Sequence, residues 1–497
     1  MKLIFEYEEQ TTGHVPNVDD KHQGELGGAE DTLVGLPKDL IRKELPLPNV
    51  SEINVVRHYT NMSRMNFGVD LGFYPLGSCT MKYNPKINED IARLDGFKDL
   101  HPFSNESCIQ GSLQLMWKLE QDLKRITGMD AFSLQPAAGA HAELLGVMIT
   151  KAYYKQKNEK RTKIMIPDSA HGTNPATAAM CKFETITIPS NSRGSMDVYK
   201  FKESLKEDVA LVMLTNPNTL GLFEENILEI SDLAHSNGTL MYCDGANMNA
   251  LLGITRPSDQ GFDMIHLNLH KSFSTPHGGG GPGAGTLGVK SFLSDYLPLP
   301  RIVVKHDSKF ALDYTKRKSV GMVRYCYGNF GMLVRAYCYI KSWGTNIRKV
   351  SENAILNANY LLSLLKDDYE LPYNRRCAHE FVLSSKKFGE KSALNIAKRL
   401  LDYGFHPPTI YFPLIVREAL MIEPTETESK ETLDRFASAL RSIANEIKEN
   451  PDIVKGSPYT KSIGRLNEVA AARKPNLRWT TPSQSDEKID SGRRSAY

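Results

Sequence analysis

At 497 residues the chain exceeds one ordinary core, so two or more domains are expected. With 41% hydrophobic and 24% charged residues it has the balance of a globular protein, and no apolar run reaches the length that crosses a bilayer. A formal charge of +3, with no basic block beyond Arg493-Arg494, excludes nucleic acid as the expected partner.

The N-terminus reads MKLIFEYEEQ, acidic and without an apolar signal core or an Arg-rich transit pattern, which predicts a cytoplasmic protein. Residues 1–85 are expected to form an N-terminal arm: up to about residue 60 they are rich in Gly, Pro, Asp and Glu and lack periodicity. Seven scattered cysteines, none in CxxC spacing, suit a reducing compartment and exclude a zinc or dithiol motif. Cys79, in PLGSCTMKYNP, is read as a structural thiol and not as catalytic. From about residue 112, SLQLMWKLEQDLKRITG repeats apolar residues at helical spacing and stops at Gly128, a C-cap signal.

Short apolar strands then alternate with helical stretches: TKIMIPD (162–168), VALVMLTNP (209–217), TLMYCDG (239–245) and DMIHLNL (263–269). That rhythm predicts a parallel sheet covered by helices on both faces, the large domain of 86–330. Open sheets of this kind bind ligands beyond the C-terminal ends of their strands, where this sequence puts its polar and Gly-rich turns. After about residue 330, helical patterns at 331–366 and 390–403, the strand-like HEFVLSS and the Pro-rich FHPPTIYFPLIV predict a smaller C-terminal domain, 331–479. Residues 480–497 are too polar to bury a core and are expected to be a flexible tail.

The sharpest chemical signal is HLNLHKSFSTPHGGGGPGAG, 266–285. Lys271 follows an apolar strand and precedes a glycine run, a setting in which an amine can be partly desolvated and held for imine formation. Taken singly, a surface lysine at a strand end is the commoner case. Asp244 ends the preceding strand, and the interval leaves room for one helix, so both side chains can reach one cleft. A carboxylate there would keep a cofactor's pyridine nitrogen protonated, and Ala246 would offer a methyl to the ring face. Alone, Asp244 would be a turn or N-cap residue.

LQPAAGAHAELLG opens a helix on Ala138, Gly139 and Ala140, whose N–H groups could cradle a phosphate, while His141 could stack on the ring; small residues also begin many tightly packed helices. His171 and Asn174 lie on the turn of PDSAHGTNPA, and Thr215, Asn216 and Thr219 on that of LTNPNTLG. Their hydroxyl and amide groups could bond the cofactor or orient substrate, although ordinary turn chemistry accounts equally well for each alone. His277 and Gly278–Gly281 follow the lysine, permitting close backbone approach or simply a mobile loop.

Together with RHYTNMSRMNFGVDLGFYPLGSCTMKYNPK (57–86), YGNFG, HEFVLS and FHPPTIYFPLIVREALMIEPTET, these motifs resemble in order the C-terminal half of glycine dehydrogenase (decarboxylating), the P-protein family of the glycine cleavage system. The resemblance is to subunit 2 of the split form. It implies a PLP-dependent fold-type I (aspartate aminotransferase-like) large domain with a mixed, mostly parallel sheet, plus an α+β C-terminal domain. It further implies pyridoxal 5'-phosphate as cofactor, a P-protein alpha subunit (subunit 1) in an α2β2 heterotetramer, and a lipoylated H-protein as second partner. The reaction implied is loss of CO2 from glycine with transfer of the aminomethyl group to the lipoyl arm. Lys271, His171 and His277 are the expected catalytic residues. Lys271, Asp244, Ala246, His141, Ala138, Gly139, Ala140, Asn216, Thr219 and His270 are expected to hold the cofactor. The rivals are a self-sufficient PLP aminotransferase, lyase or decarboxylase, since the Asp/Lys arrangement is widely shared, and a non-catalytic scaffold subunit, against which the presence of both residues speaks.

Overall fold

The computed structural model describes residues 37, 40, 50–279, 283–306, 308–475 and 477. Most of the arm up to residue 49 and the whole of the expected tail, 480–497, lie outside them. Two compact units are present, 1–72 and 73–497. In the first, helix α1 (Glu52–Met65) begins after Ser51 and buries His58.

The second unit carries a seven-stranded sheet in the order β1-β7-β6-β5-β4-β2-β3. Its strands are β1 (Ala131–Ser133), β2 (Lys163–Pro167), β3 (Glu184–Ile188), β4 (Val209–Leu214), β5 (Leu240–Gly245), β6 (Met264–Asn268) and β7 (Gly285–Val289). The four strands expected from apolar runs all form, because β4, β5 and β6 are buried along their whole length and must satisfy every backbone group in the sheet. Successive residues feed two cores: Val212 and Leu214 one, Leu211 and Met213 the other. Only β7 runs against its neighbours β6 and β1, which makes the sheet mixed and mostly parallel.

Helix α2 (Gln110–Thr127) ends as expected at Gly128, whose φ of 74° supplies the left-handed C-cap. Helices α3 (Gly139–Gln156), α4 (Thr173–Met180) and α5 (Ile227–Ser236) connect the strands. Strands β8 (Arg301–Val304) and β9 (Phe310–Asp313) form a separate hairpin.

Helix α6 (Phe330–Trp343) contributes Leu333, Ala336, Tyr339 and Ile340 to the core of the large sheet, so its packing belongs with the large domain and not with the C-terminal one expected to start at 331. Helix α7 (Arg348–Leu365), β10 (Phe381–Ser384), α8 (Ser392–Asp402), β11 (Thr409–Ile410), β12 (Ala419–Ile422) and α9 (Lys430–Glu449) build the smaller α+β part, whose sheet runs β10-β12-β11. Phe73, assigned from sequence to the arm, is buried in that core edge-on to Phe436. Leu76 bridges to Ile422, and no Cβ fits at Gly77, where it would lie 2.6 Å from the Met421 carbonyl oxygen. Segment 73–80 is thereby fixed across the end of the small sheet. No described helix is long and apolar enough to cross a membrane.

Candidate active site

Strands β5 and β6 are parallel neighbours with Asp244 opposite His266. Asp244 is 5% exposed. Its Oδ2 accepts from the Asn174 amide at 3.2 Å and its Oδ1 from the Ala246 N–H at 3.2 Å, with His266 Nε2 3.3 Å from Oδ1. Burial alone would raise its pKa, but His266, Asn174, His171 and Lys271 outweigh burial and hold the carboxyl below the usual range. Behind it, His266 Nδ1 and the Tyr242 hydroxyl share a hydrogen bond of 2.8 Å. Gly146 lets α3 close on that tyrosine, since a Cβ would lie 2.4 Å from its ring. Glu143, beside this chain, is raised to about 7 by burial and by Asp244's charge. Of the two carboxyls, Asp244 keeps the charge.

Lys271 stands in the turn directly after β6, its N–H bonded to the Asn268 carbonyl at 3.1 Å. Its charge acts on Asp244 and on His171, His266, His270, His277 and His379, so strand ends and turns from much of the sequence converge around it. Burial, then His277 and Lys271, push His270 to about 3, and its Nδ1 lies 3.2 Å from the Ala284 carbonyl oxygen. Burial and Lys271 push His277 to about 4. The His277 Nε2 is buried without a hydrogen-bond partner among the described residues, and the ring meets His270 edge-on. Gly278 and Gly279 adopt φ of 69° and 79°, which explains glycine there; Gly280 and Gly281 lie outside the described residues.

At the start of α3 the N-cap Ala138 is extended and provides no side-chain cap, so the N–H groups of the first turn are left for another acceptor. Gly139 admits Asn268 where a Cβ would stand 1.8 Å from Oδ1, an atom that is itself buried and without a hydrogen-bond partner among the described residues. Half-buried His141 accepts the Ala137 N–H at 3.2 Å, and burial, with Arg324, lowers its pKa.

His171 is solvent-exposed by surface area, although its ring is surrounded closely enough that desolvation lowers its pKa, with Asp244 opposing and Lys271 adding. It bonds the Thr173 hydroxyl at 3.0 Å. Thr219 is buried, its hydroxyl donating to the Ser169 carbonyl at 2.5 Å. Asn216 departs from the group: its amide donates to Gln260 at 3.0 Å and accepts the Glu224 N–H at 2.9 Å, leaving it tied to its own turn.

Sequence reasoning missed a second set. Glu380, Glu423 and His379 are buried and also feel Lys271. Thr80 and Asn247 bind Glu423, and Cys79 sits in the same field, where burial first, then the two glutamates, raise its pKa against Lys271. The only signal was that Glu380 stands at the start of the strand-like HEFVLS and Glu423 directly after the apolar residues of LMIEPTET.

Residues 31–313 match the family model described as glycine cleavage system P-protein, and residues 350–461 that of the glycine dehydrogenase C-terminal domain. The chain is 59% identical over 450 residues to the probable glycine dehydrogenase (decarboxylating) subunit 2 of Caldanaerobacter subterraneus subsp. tengcongensis, covering 90% of this chain and 93% of the relative. To the protein of the same description from Desulforamulus reducens it is 57% identical, covering 89% and 93%. Among solved structures, an inhibitor-bound glycine decarboxylase (P-protein) of the glycine cleavage system superposes with a TM-score of 0.71 at 20% identity, over 86% of this chain and 99% of that one. A NifS-like protein gives 0.58 at 14%, over 75% and 100%. These structures share the fold, PLP-dependent fold-type I, with its mixed sheet and smaller C-terminal part. With both family models and nine-tenths of its length aligned at this identity, the chain belongs to the glycine cleavage system P-protein family.

Proposed function

We propose that this chain is the subunit 2 of a split glycine decarboxylase, acting with a subunit 1 partner in an α2β2 assembly. It would remove CO2 from glycine and pass the aminomethyl group to the lipoyl arm of an H-protein. The observation that carries the reading is the pairing of an ionised, buried Asp244 with Lys271 at the C-terminal ends of adjacent strands, in a chain so similar to proteins of that description.

The residues present fit pyridoxal 5'-phosphate. Lys271 supplies the amine for attachment. Asp244 supplies a fixed negative charge for a protonated ring nitrogen, and Asn174, His266 and the Ala246 N–H keep that charge oriented. The uncapped first turn of α3, from Ala138 through Gly139 and Ala140, suits a phosphate, because a helix N-terminus favours an anion. When bound, the cofactor supplies an electron-poor ring that takes up the electron pair left as CO2 departs.

His141 and Ala246 would hold the two ring faces and so fix the orientation of the bound group. A carboxylate-clamping arginine is not assigned, since firm binding of the departing carboxylate would stabilise the ground state. His171, reachable from solvent, and His277, neutral at physiological pH with a buried nitrogen unpartnered among the described residues, are the proposed proton carriers. Thr219, bonded to the Ser169 carbonyl, and His270, edge-on to His277, are proposed to help hold the cofactor. Glycine–bicarbonate carboxyl exchange, assayed with PLP, lipoylated H-protein and the partner subunit, tests the proposal.

A further inference from the structure

Two glutamates unused by this reading face the same lysine. Strands β10 and β12 pair with Phe381 opposite Ile422, so one step further along that register Glu380 and Glu423 stand opposite each other at the sheet end. They are 4% and 1% exposed. Like charges opposed across antiparallel strands repel, and burial removes the water that would screen them.

The surroundings hold both acids in place. The Ser78 N–H donates to Glu380 Oε2 at 2.9 Å, and the Thr80 N–H and hydroxyl donate to the two oxygens of Glu423 at 3.0 and 2.7 Å. Asn247 donates to Glu423 Oε1 at 2.7 Å. Ser78 and Thr80 adopt φ of 67° and 48°, a conformation that non-glycine residues take under constraint.

His379 gives an independent sign of function. It is 2% exposed, and neither ring nitrogen has a hydrogen-bond partner among the described residues. Its Nε2 points at the pair, 3.6 Å from Glu380 Oε1. One ligand-type atom from each of His379, Glu380 and Glu423 lies within 4.8 Å of the others. A buried, unpartnered imidazole is rare enough to need a reason.

The charged and titratable groups facing the pair are Lys271, His379, the Cys79 thiol and Lys82, itself paired with Glu426. Burial, then Glu423, raise Glu380 well above the usual carboxylate range. Burial raises Glu423 against the opposing effects of Thr80, Asn247 and Lys271. Of the two, Glu380 is the member favoured to hold a proton, and Glu423, held by the Thr80 and Asn247 donors, is the member left to accept one.

We infer that Glu380 and Glu423 form one carboxyl pair that holds a single proton at rest and relays a proton between incoming glycine and the departing lipoyl sulfur. The role rests on the glycine decarboxylase reading. Glycine arrives with an ammonium group; one N–H bond breaks, an O–H bond forms on the pair, and nitrogen keeps the lone pair it needs as a nucleophile. When the lipoyl disulfide opens, its S–S bond breaks and one sulfur bonds the aminomethyl carbon. The other sulfur leaves as thiolate and takes the proton back from the pair. The electron pair of the broken C–CO2 bond ends on the disulfide, so no further oxidant is needed.

The test uses the PLP-loaded two-subunit enzyme with E380Q and E423Q, both close to the native shape. Infrared spectra in H2O and D2O near neutral pH read the C=O stretch of a protonated buried carboxyl without relying on turnover. The difference between wild type and variant separates the pair from Glu143. The wild type should show the band. Each variant should shift and weaken it, because the remaining acid stays buried but no longer faces a second carboxyl. Each should also keep the visible absorption of bound PLP while exchange falls about a hundredfold, the lower end for loss of a general acid–base. Titrating the wild-type band with pH needs no variant, and its disappearance within the ordinary carboxylate range would overturn the inference. So would variants that keep both the unshifted band and the wild-type pH profile of exchange. A wild type that shows the band yet exchanges no glycine would defeat the decarboxylase reading and the relay role, while leaving the shared proton standing.

Discussion

Lys82 links the small sheet's side of the molecule to the turn that carries Lys271. Its ammonium lies 2.7 Å from Glu426 Oε1 and donates to the Ser272 carbonyl at 2.8 Å and the Tyr339 hydroxyl at 3.0 Å. The two charged side chains are 1% and 3% exposed. Burial lowers the pKa of Lys82, and Glu426 opposes it. Substituting Lys82→Met keeps most of the apolar stem but strands Glu426, which retains the Tyr339 hydroxyl at 3.0 Å and a long contact of 3.4 Å from Asn249. Removing one partner of a buried pair costs about 3–5 kcal/mol, because the other charge is left without compensation. Against a typical stability of about 5–15 kcal/mol that is a large fraction, and it falls beside Lys271. Urea unfolding followed by circular dichroism reads the loss, and the visible absorption of bound PLP reads the effect on the lysine turn. The double variant Lys82→Met/Glu426→Gln removes the stranded charge and should recover more than half of the loss. A single variant within about 0.5 kcal/mol of wild type, the range of ordinary surface changes, or a double variant less stable than the single, would refute the reasoning.

Lys271→Ala should abolish the visible absorption of lysine-attached PLP while leaving circular dichroism unchanged; a retained band would move the attachment elsewhere. Asp244→Asn should keep PLP bound but lower exchange by about a hundredfold to a thousandfold, the scale for one preorganised electrostatic partner. Near-native rates in that variant would remove Asp244 from its role. Gly139→Ala places a Cβ 1.8 Å from Asn268 Oδ1 and 2.6 Å from its Cγ, and should cost about 1–3 kcal/mol by overpacking. Thermal unfolding with and without PLP measures this, and the stabilisation by PLP should shrink as well. Burial, then Lys271, push His379 to about 3, whereas an unfolded histidine titrates near about 6.5. The depressed value means that its effect on stability is absent above about 6.5 and that stability is lost as pH falls, by up to about 1.4 kcal/mol per pH unit. His379→Gln should flatten the urea midpoint against pH in that window, and an unchanged slope would show that the ring protonates freely.

The strands β2, β4, β5 and β6 were legible because buried parallel strands must be continuous apolar runs. Strand β3 was not, since its ETITI faces solvent along most of its length at the sheet edge. Strand β7 hid behind the glycines of GTLGV, one of which, Gly288, leaves room for the Phe132 ring. Lys271 and Asp244 were legible for a related reason: each lies at the end of an apolar strand, although the link between the two strands carries only the short 3-10 helix Pro257–Gln260 and not the full helix the interval has room for. The Glu380–Glu423 pair was not, because only the antiparallel register of β10 and β12 brings them together. Ser78 and Thr80 gave no signal either, since their N–H groups reach those acids through an unusual backbone conformation. Asn216 was read toward the cofactor from its place at a strand end, but its amide is taken up by Gln260 and Glu224. Helix α6 was assigned to the C-terminal domain by its helical pattern alone, and that pattern does not say which core its apolar face meets.

The central claim is that this chain and a subunit 1 partner together decarboxylate glycine, and glycine–bicarbonate carboxyl exchange with PLP and lipoylated H-protein tests it most directly. Exchange that appears only when both chains are present, and disappears with Lys271→Ala, is the predicted result. Exchange by this chain alone, or PLP bound by both chains together with no exchange, would contradict it.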